Sequence, residues 1–426
     1  MAGFGNIARP TEGNNAPHAL AGPSSTHRAP FRHIRPTGDR RSEFITTRCY
    51  SPTGQLLWDG DHGTTVFALA VDAYGAVYQS GKRGTGSTAG DSLFHREADG
   101  QVPLITAMFS KGRPKWSVLQ GASGPLESYG IAATSNGAVY VSIKNYNDAT
   151  QNRVAKKSAV SGADLLTMPV GGFLDITSTP FINSASQLWK RVRVDGSNNV
   201  YAAGKTAGSF PTNTIFKWSS DAEYWVWHDN IADFDYLAGT GLGVSTDGRV
   251  FIPSDPTPTG SSPPYKPYLY ITDASTSNLS PPAYASYLAR KLKPLDGEPG
   301  WPPLGIGGYT GAGVSPSGLA IMYDNINDAI STVAVGGTPD TPAVAQIQSV
   351  PGLGGSLGLA DVAISINDSG TYCYSVDRGT TSPVRSHEIR DSGNNLIGSY
   401  DHGGAINDCI VLPSGRVIVA GERVPR

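Results

Sequence analysis

Gly204-Lys205-Thr206 carries the residue types of a phosphate cradle: a glycine turn, a lysine charge and a hydroxyl for magnesium. That chemistry also needs a glycine at position 199 and a helix after the threonine. Asn199 stands there instead, and Val200-Tyr201 read as a strand, so a phosphate loop is excluded. The glycine clusters GIGGYTGAG (305–313) and GLGGSLG (352–358) lack the G-x-G-x-x-G spacing and a surrounding βαβ unit, so they read as junction glycines. None of the eight histidines has an H-x-x-x-H partner, and no C-x-x-C exists. Asp324-Asn325-Ile326-Asn327-Asp328 offers oxygens without the spaced terminal glutamate of a calcium loop, and reads as a polar turn. Asp61-His62 and Asp401-His402 would be catalytic dyads only beside a nucleophile, and none can be placed. A pair that hydrogen-bonds neighbouring backbone at a turn explains both. No catalytic, cofactor-binding or metal-ligating residue is assigned.

The elements that would position any chemistry are seven hairpins. Each is an apolar run, a polar turn usually closed by glycine, and a second apolar run: 68–81, 130–142, 191–204, 241–253, 311–323, 361–375 and 408–421. The turn residues are Gly75, Gly137, Asn198, Gly248, Gly318, Gly370 and Gly415, about 57 residues apart on average. Two-residue turns with positive φ are expected, which glycine and asparagine tolerate. Second turns are expected at 99–100, 161–162, 219–221, 272–274, 336–337 and 392–393, supplying strands three and four of each repeat. The last repeat lacks such a partner. The missing hairpin stands near the other end, FITTRCYSPTGQLLWDG (44–60), and Asp-His-Gly precedes both Gly75 and Gly415 by the same interval. The pattern predicts an all-β, seven-bladed β-propeller over 43–426. Its composite closing blade takes outer strands from 43–60 and inner strands from 408–421, leaving no open edge.

Composition bounds the rest. Net charge is −2, which argues against specific nucleic-acid binding. No run of about 18 apolar residues could span a membrane, and no basic-then-apolar signal peptide opens the chain. Cys49, Cys373 and Cys409 are too few for a disulfide framework and read as reduced core residues. Residues 1–42 lack apolar periodicity and hold Arg9, Arg28, Arg32, Arg35, Arg40 and Arg41 against Glu12 and Asp39. This basic, Pro/Gly-rich stretch reads as an extended arm on an acidic ring. Residues 253–303 hold 12 of the 31 prolines and read as long, stiffened loops. Loops between hairpins are long and those within them short, so one face of the disc carries the binding loops. Trp225 and Trp227 alternate along one strand and so share a side, whereas Trp301 and Tyr309 lie in loops.

Two resemblances follow from these residues. Ser51-Pro52-Thr53-Gly54 with Trp58 resembles the aspartate box of sialidases, but threonine replaces the aspartate and the glycine is one place early. The segment 194–213 resembles the bacterial seven-bladed propeller repeat, D-x-x-G-N-x-Y-x-x-G-x-T followed by F-P-T. Asp195, Asn199, Tyr201, Gly204, Thr206, Phe210, Pro211 and Thr212 match it, and Asn198 departs. That resemblance implies a fold and transfers no functional residue.

The expected function is therefore a non-enzymatic structural or assembly protein of a virion. The particle expected is a bacteriophage tail, nozzle or tip, with host attachment as a compatible role. Arg28, Arg32, Arg35, Arg40, Arg41 and Phe31 are the candidate contacts to other subunits, because arginine and apolar residues alternate along that strip. Two other readings stay open. One is a carbohydrate-binding adhesin that uses Trp301 and Tyr309 on a host glycan. The other is a polysaccharide-acting enzyme whose carboxylate pair is dispersed among blades. No cofactor is expected.

Overall fold

The computed structural model describes residues 44–61, 65–83, 102–108, 114–119, 126–145, 153–165, 173–174, 191–205, 213–218, 220, 225–231, 242–248, 250–251, 253–254, 268–271, 291–294, 309–324, 329–338, 341–350, 363–376 and 386–425. They are all β, in small antiparallel sheets, and no helix occurs among them. Sheet 1 comprises Thr65–Val71, Val77–Arg83, Val102–Met108 and Pro114–Leu119. Sheet 2 comprises Leu126–Ala133, Ala138–Asn145, Arg153–Ser158 and Phe173–Leu174. Sheet 3 follows with Arg191–Val194, Val200–Lys205, Asn213–Trp218 and Trp225–Ile231. The fourth is split into a ladder of Gly243–Val244 with Val250–Phe251 and one of Pro253–Ser254, Tyr268–Ile271 and Lys291–Pro294. Sheet 5 is Tyr309–Val314, Leu319–Asp324, Ala329–Thr338 and Thr341–Val350, and sheet 6 is Ile364–Ile366, Tyr372–Val376, Ser386–Arg390 and Leu396–Asp401.

Sheet 7 joins strands from opposite ends of the sequence. Ile406–Val411 pairs with Val417–Pro425, which pairs with Phe44–Tyr50, which pairs with Leu56–Gly60. Cys409 and Cys49 fall on its first and third strands, and all three cysteines are free and buried. One further pair, Glu422 with Thr65, continues it into sheet 1.

Bulges mark the repeat independently of the turns. In sheets 1, 2, 5 and 7 the first strand carries one extra residue, at 67, 129, 310 and 407. Each lies eight positions before its turn glycine at 75, 137, 318 and 415. The outer hairpins of sheets 1, 3, 6 and 7 carry a second bulge, at 115, 226, 397 and 57. A bulge strengthens the local twist, so the same kink recurs at the same depth.

All seven turn residues have positive φ, from 64° at Asn198 to 93° at Gly318. The turns are nevertheless three-residue loops rather than two-residue ones. In sheet 1 the Asp72 N–H donates to Ala76 O (3.1 Å) and the Gly75 N–H to Asp72 O (3.0 Å). This is a type I turn closed by a left-handed residue, so only the last loop position needs positive φ. The Asp72 carboxylate also accepts from the Tyr74 and Ala76 amides, and Asp195 repeats this with Ser197 and Asn199. Short polar residues open such turns because their side chains hold the loop amides. A Cβ at Gly137 meets nothing within 4 Å, so there only backbone strain counts. Gly137→Val should therefore cost about 1–2 kcal/mol, and Gly137→Asn far less. Equal denaturation midpoints for the two variants would contradict the turn assignment.

Other expectations need correction. Gly336 and Gly337 lie inside a strand, paired with Ala343 and Pro342, because the hairpin extends to Thr338 opposite Thr341. The third strand of sheet 1 begins only at Val102, so Asp99-Gly100 precedes it and cannot join strands three and four. The proline-rich 253–303 segment holds three short strands, not loop alone. The bulge between Lys217 and Trp218 breaks the strict alternation assumed for Trp225 and Trp227.

The cores lie between consecutive sheets. Tyr140, Val154, Val192, Val200 and Trp218 fill the space between sheets 2 and 3. Sheets 6 and 7 close on Tyr50, Cys373, Ile389, Val417 and Val419, and sheets 7 and 1 on Cys49, Val66, Leu69, Val77 and Ile418. Hydrogen bonds link successive turns: Ser135 N to Asn198 Oδ1, Gly196 N to Thr246 O, Thr246 N to Pro316 O and Ser317 N to Asp368 Oδ1, each 2.8 Å. Asn367 Nδ2 then reaches Leu412 O at 2.9 Å.

Candidate functional site: an arginine–aspartate bridge among first strands

The first strands approach one another within 8 Å in the order of sheets 1 to 7, and that of sheet 7 approaches that of sheet 1. Seven positions before each turn residue stand Ala68, Gly130, Arg191, Gly241, Gly311, Ala363 and Asp408. Small side chains occupy five of these places, and the two charged ones meet. Arg191 Nη1 of sheet 3 lies 2.9 Å from Asp408 Oδ2 of sheet 7, both side chains being about 95% buried. Asp408 Oδ2 also accepts the Leu69 N–H of sheet 1 at 2.8 Å, and Oδ1 the Cys409 N–H at 3.0 Å. One carboxylate thus ties together first strands from sheets 1, 3 and 7. The small residues are a packing need as well: a Cβ on Gly130 would lie 2.9 Å from Val192 N.

Arg193 follows two residues after Arg191 on the same strand, hence on the same side. It is half-buried and donates from Nη1 to Val192 O at 3.0 Å. Burial, then the charge of Arg191, lowers its pKa from 12.5 to about 10, while Asp408 opposes the shift. The guanidinium stays charged at neutral pH, so two cations face one anion.

A second buried polar cluster lies between sheets 6 and 7. The Tyr50 ring stacks on Tyr400 at 4.5 Å, and His387 lies 5.1 Å from Tyr50 and 5.3 Å from Tyr400 between ring centroids. His387 and His402 are both fully buried, and neither ring nitrogen of His387 has a hydrogen-bond partner among the described residues. Burial, then His402 and Arg48, pulls His387 down to about 3. Burial, then Arg48, pulls His402 to about 4, against the Glu422 backbone and Asp401. In the Asp401-His402 pair the aspartate holds turn backbone, its Oδ1 accepting the Gly403 N–H at 2.7 Å, and His402 faces the Glu422 backbone. His62 lies outside the described residues.

Of the residues proposed from sequence, Arg28, Phe31, Arg32, Arg35, Arg40, Arg41 and Trp301 also lie outside the described residues. Tyr309 is not in a loop: it opens the first strand of sheet 5 and pairs with Asp324. No trio of histidine, cysteine or acidic side chains able to hold a metal occurs among the described residues. No helix there is long and apolar enough to cross a membrane, which says nothing of β-barrels. The Arg191–Asp408 bridge escaped the sequence reading, although aligning the seven copies on their turns sets both residues against a column of glycine and alanine.

No family model matches the chain, and no curated protein matches it. Among solved structures it is similar to propeller-like proteins. Virginiamycin B lyase from Staphylococcus aureus aligns with 89% of this chain and 99% of its own, at 9% identity and a TM-score of 0.46. A protein from Lactobacillus plantarum aligns with 79% of this chain and 87% of its own, at 14% identity and a TM-score of 0.45. Puromycin hydrolase aligns with 82% of this chain at 11% identity and a TM-score of 0.47, this chain matching 49% of the hydrolase. Likenesses at this level carry no activity across.

Proposed function

We propose that residues 43–426 form a closed seven-bladed β-propeller and that the protein is a non-enzymatic assembly subunit of a virion. The closed ring is supported by the circuit of first strands, the cores between successive sheets and the shared sheet 7. The observation that carries the assembly role is an exposed apolar rim. Leu56, Leu57 and Leu396 are about half exposed on the outermost strands of sheets 7 and 6. The bulge at Leu57 interrupts alternation, which leaves two consecutive leucines exposed. The turn that leads into Leu56 meets the Leu396–Asp401 strand, since Tyr400 Oη donates to Gly54 O at 2.6 Å. Unblunted apolar edges are what soluble monomers avoid and interfaces use. The arginine-rich arm supports the same role through carboxylate pairing. The particle we assign is a bacteriophage tail, nozzle or tip, by analogy with propeller rings in such assemblies.

Truncation of residues 1–42, or Leu57→Asp combined with Leu396→Asp, should leave the melting temperature within a few degrees. Either change should abolish co-sedimentation with the native particle. Normal incorporation of both variants would overturn the assembly role.

A further inference from the structure

We propose that Arg191 and Arg193 form an oxyanion-binding site, for a carboxylate or a phosphate, at the turn end of the first strands. Three observations lead there. The charge among the described residues is unbalanced, with the buried Arg191 and the half-buried Arg193 against Asp408, and a cation withdrawn from water is costly until an anion joins it. Asp408 is moreover shared with the Leu69 and Cys409 amides, which draws its charge away from the arginines.

Arg191 also keeps a donor free: Nη1 is engaged by Asp408, but Nε has no acceptor among the described residues, although the residue is only 4% exposed. A buried guanidinium with an idle Nε–H calls for an acceptor, and an oxyanion supplies one together with the missing negative charge. Finally, five of the seven equivalent places hold glycine or alanine, so Asp408 is the one other charged residue in that column. Arg193 is nearer the turn and half-buried, and Arg191 lies deeper, so the anion enters from the turn end past Arg193. The site is independent of the assembly role and uses none of the rim residues.

The test uses the full chain. Melting temperature and calorimetric titration are followed with sodium phosphate, sodium acetate and sodium chloride at matched ionic strength. Phosphate or acetate should raise the melting temperature saturably by several degrees beyond chloride. A response to phosphate alone identifies a phosphoryl ligand, and a response to both with acetate stronger identifies a carboxylate. Arg193→Gln should weaken binding at least tenfold while melting within a few degrees of the parent in chloride. Arg193→Lys, which keeps the charge but not the paired donors, should weaken it less and serves where the glutamine variant does not fold. No response beyond chloride, or wild-type binding by both variants, would overturn the site.

Discussion

Deletion of residues 43–60 is expected to abolish cooperative unfolding, whereas deletion of 1–42 should leave the β-sheets folded. The strand Phe44–Tyr50 pairs along six positions with Val417–Pro425 and buries Ile45, Thr46, Thr47, Cys49 and Tyr50. Its loss uncovers Val417, Ile418, Val419 and Ala420, all of which are fully buried in the intact sheet. Burying one large apolar side chain is worth about 1.5–3 kcal/mol. Losing several, with a ladder of hydrogen bonds, matches the ~5–15 kcal/mol that holds a domain together. The bared strand edge should also pair with other chains, so aggregation accompanies the loss. Circular dichroism melts and light scattering of the two deletion proteins decide it. A sharp melt and a monomeric 43–60 deletion protein would show that sheet 7 does not need its N-terminal strands.

What was legible in the sequence was local. Turn residues could be found because a left-handed position admits glycine or asparagine and little else, and φ is positive at all seven. Their loop length could not, because type I turns with a left-handed fourth residue and two-residue turns share the same composition. The hairpin of sheet 5 marks the limit of that logic: Gly336-Gly337 satisfies a turn pattern, yet strand pairing continues to Thr338. Cross-strand pairing outweighs the local preference. The bridge lay beyond such reading, since Arg191 and Asp408 meet only when sheets 3 and 7 face each other. The same holds for His387, whose environment is built by Tyr50 and Arg48 from near the other end of the chain. The closing hairpin was different. Its strands could be matched because FITTRCYSPTGQLLWDG is a complete hairpin that finds no partner in its own neighbourhood.

Stability should fall steeply as the pH drops below about 6.5, before carboxylates begin to titrate, and His387 and His402 should be the cause. Both rings are held neutral in the fold, with pKa values of about 3 and 4 against 6.5 when exposed. The unfolded chain therefore takes up protons first, and the stability present above pH 6.5 is lost progressively down to about pH 3–4. A tenfold change in proton affinity is worth about 1.4 kcal/mol, so the two rings together can remove several kcal/mol. The surroundings sharpen the effect: Arg48 already places a cation nearby, and the phenols of Tyr50 and Tyr400 supply no negative charge to offset it. Asp401 favours the charged form of His402, but its influence ranks behind burial and Arg48. Between pH 6.5 and 5 exposed carboxylates remain ionised, so the histidine contribution stands alone there. Urea unfolding at half-unit pH steps measures it. His387→Phe, which keeps a ring between Tyr50 and Tyr400, should flatten the slope in this window by about half. An unchanged slope in a folded His387→Phe protein would assign the acid sensitivity to other groups and leave the sheet 6–7 junction indifferent to protons.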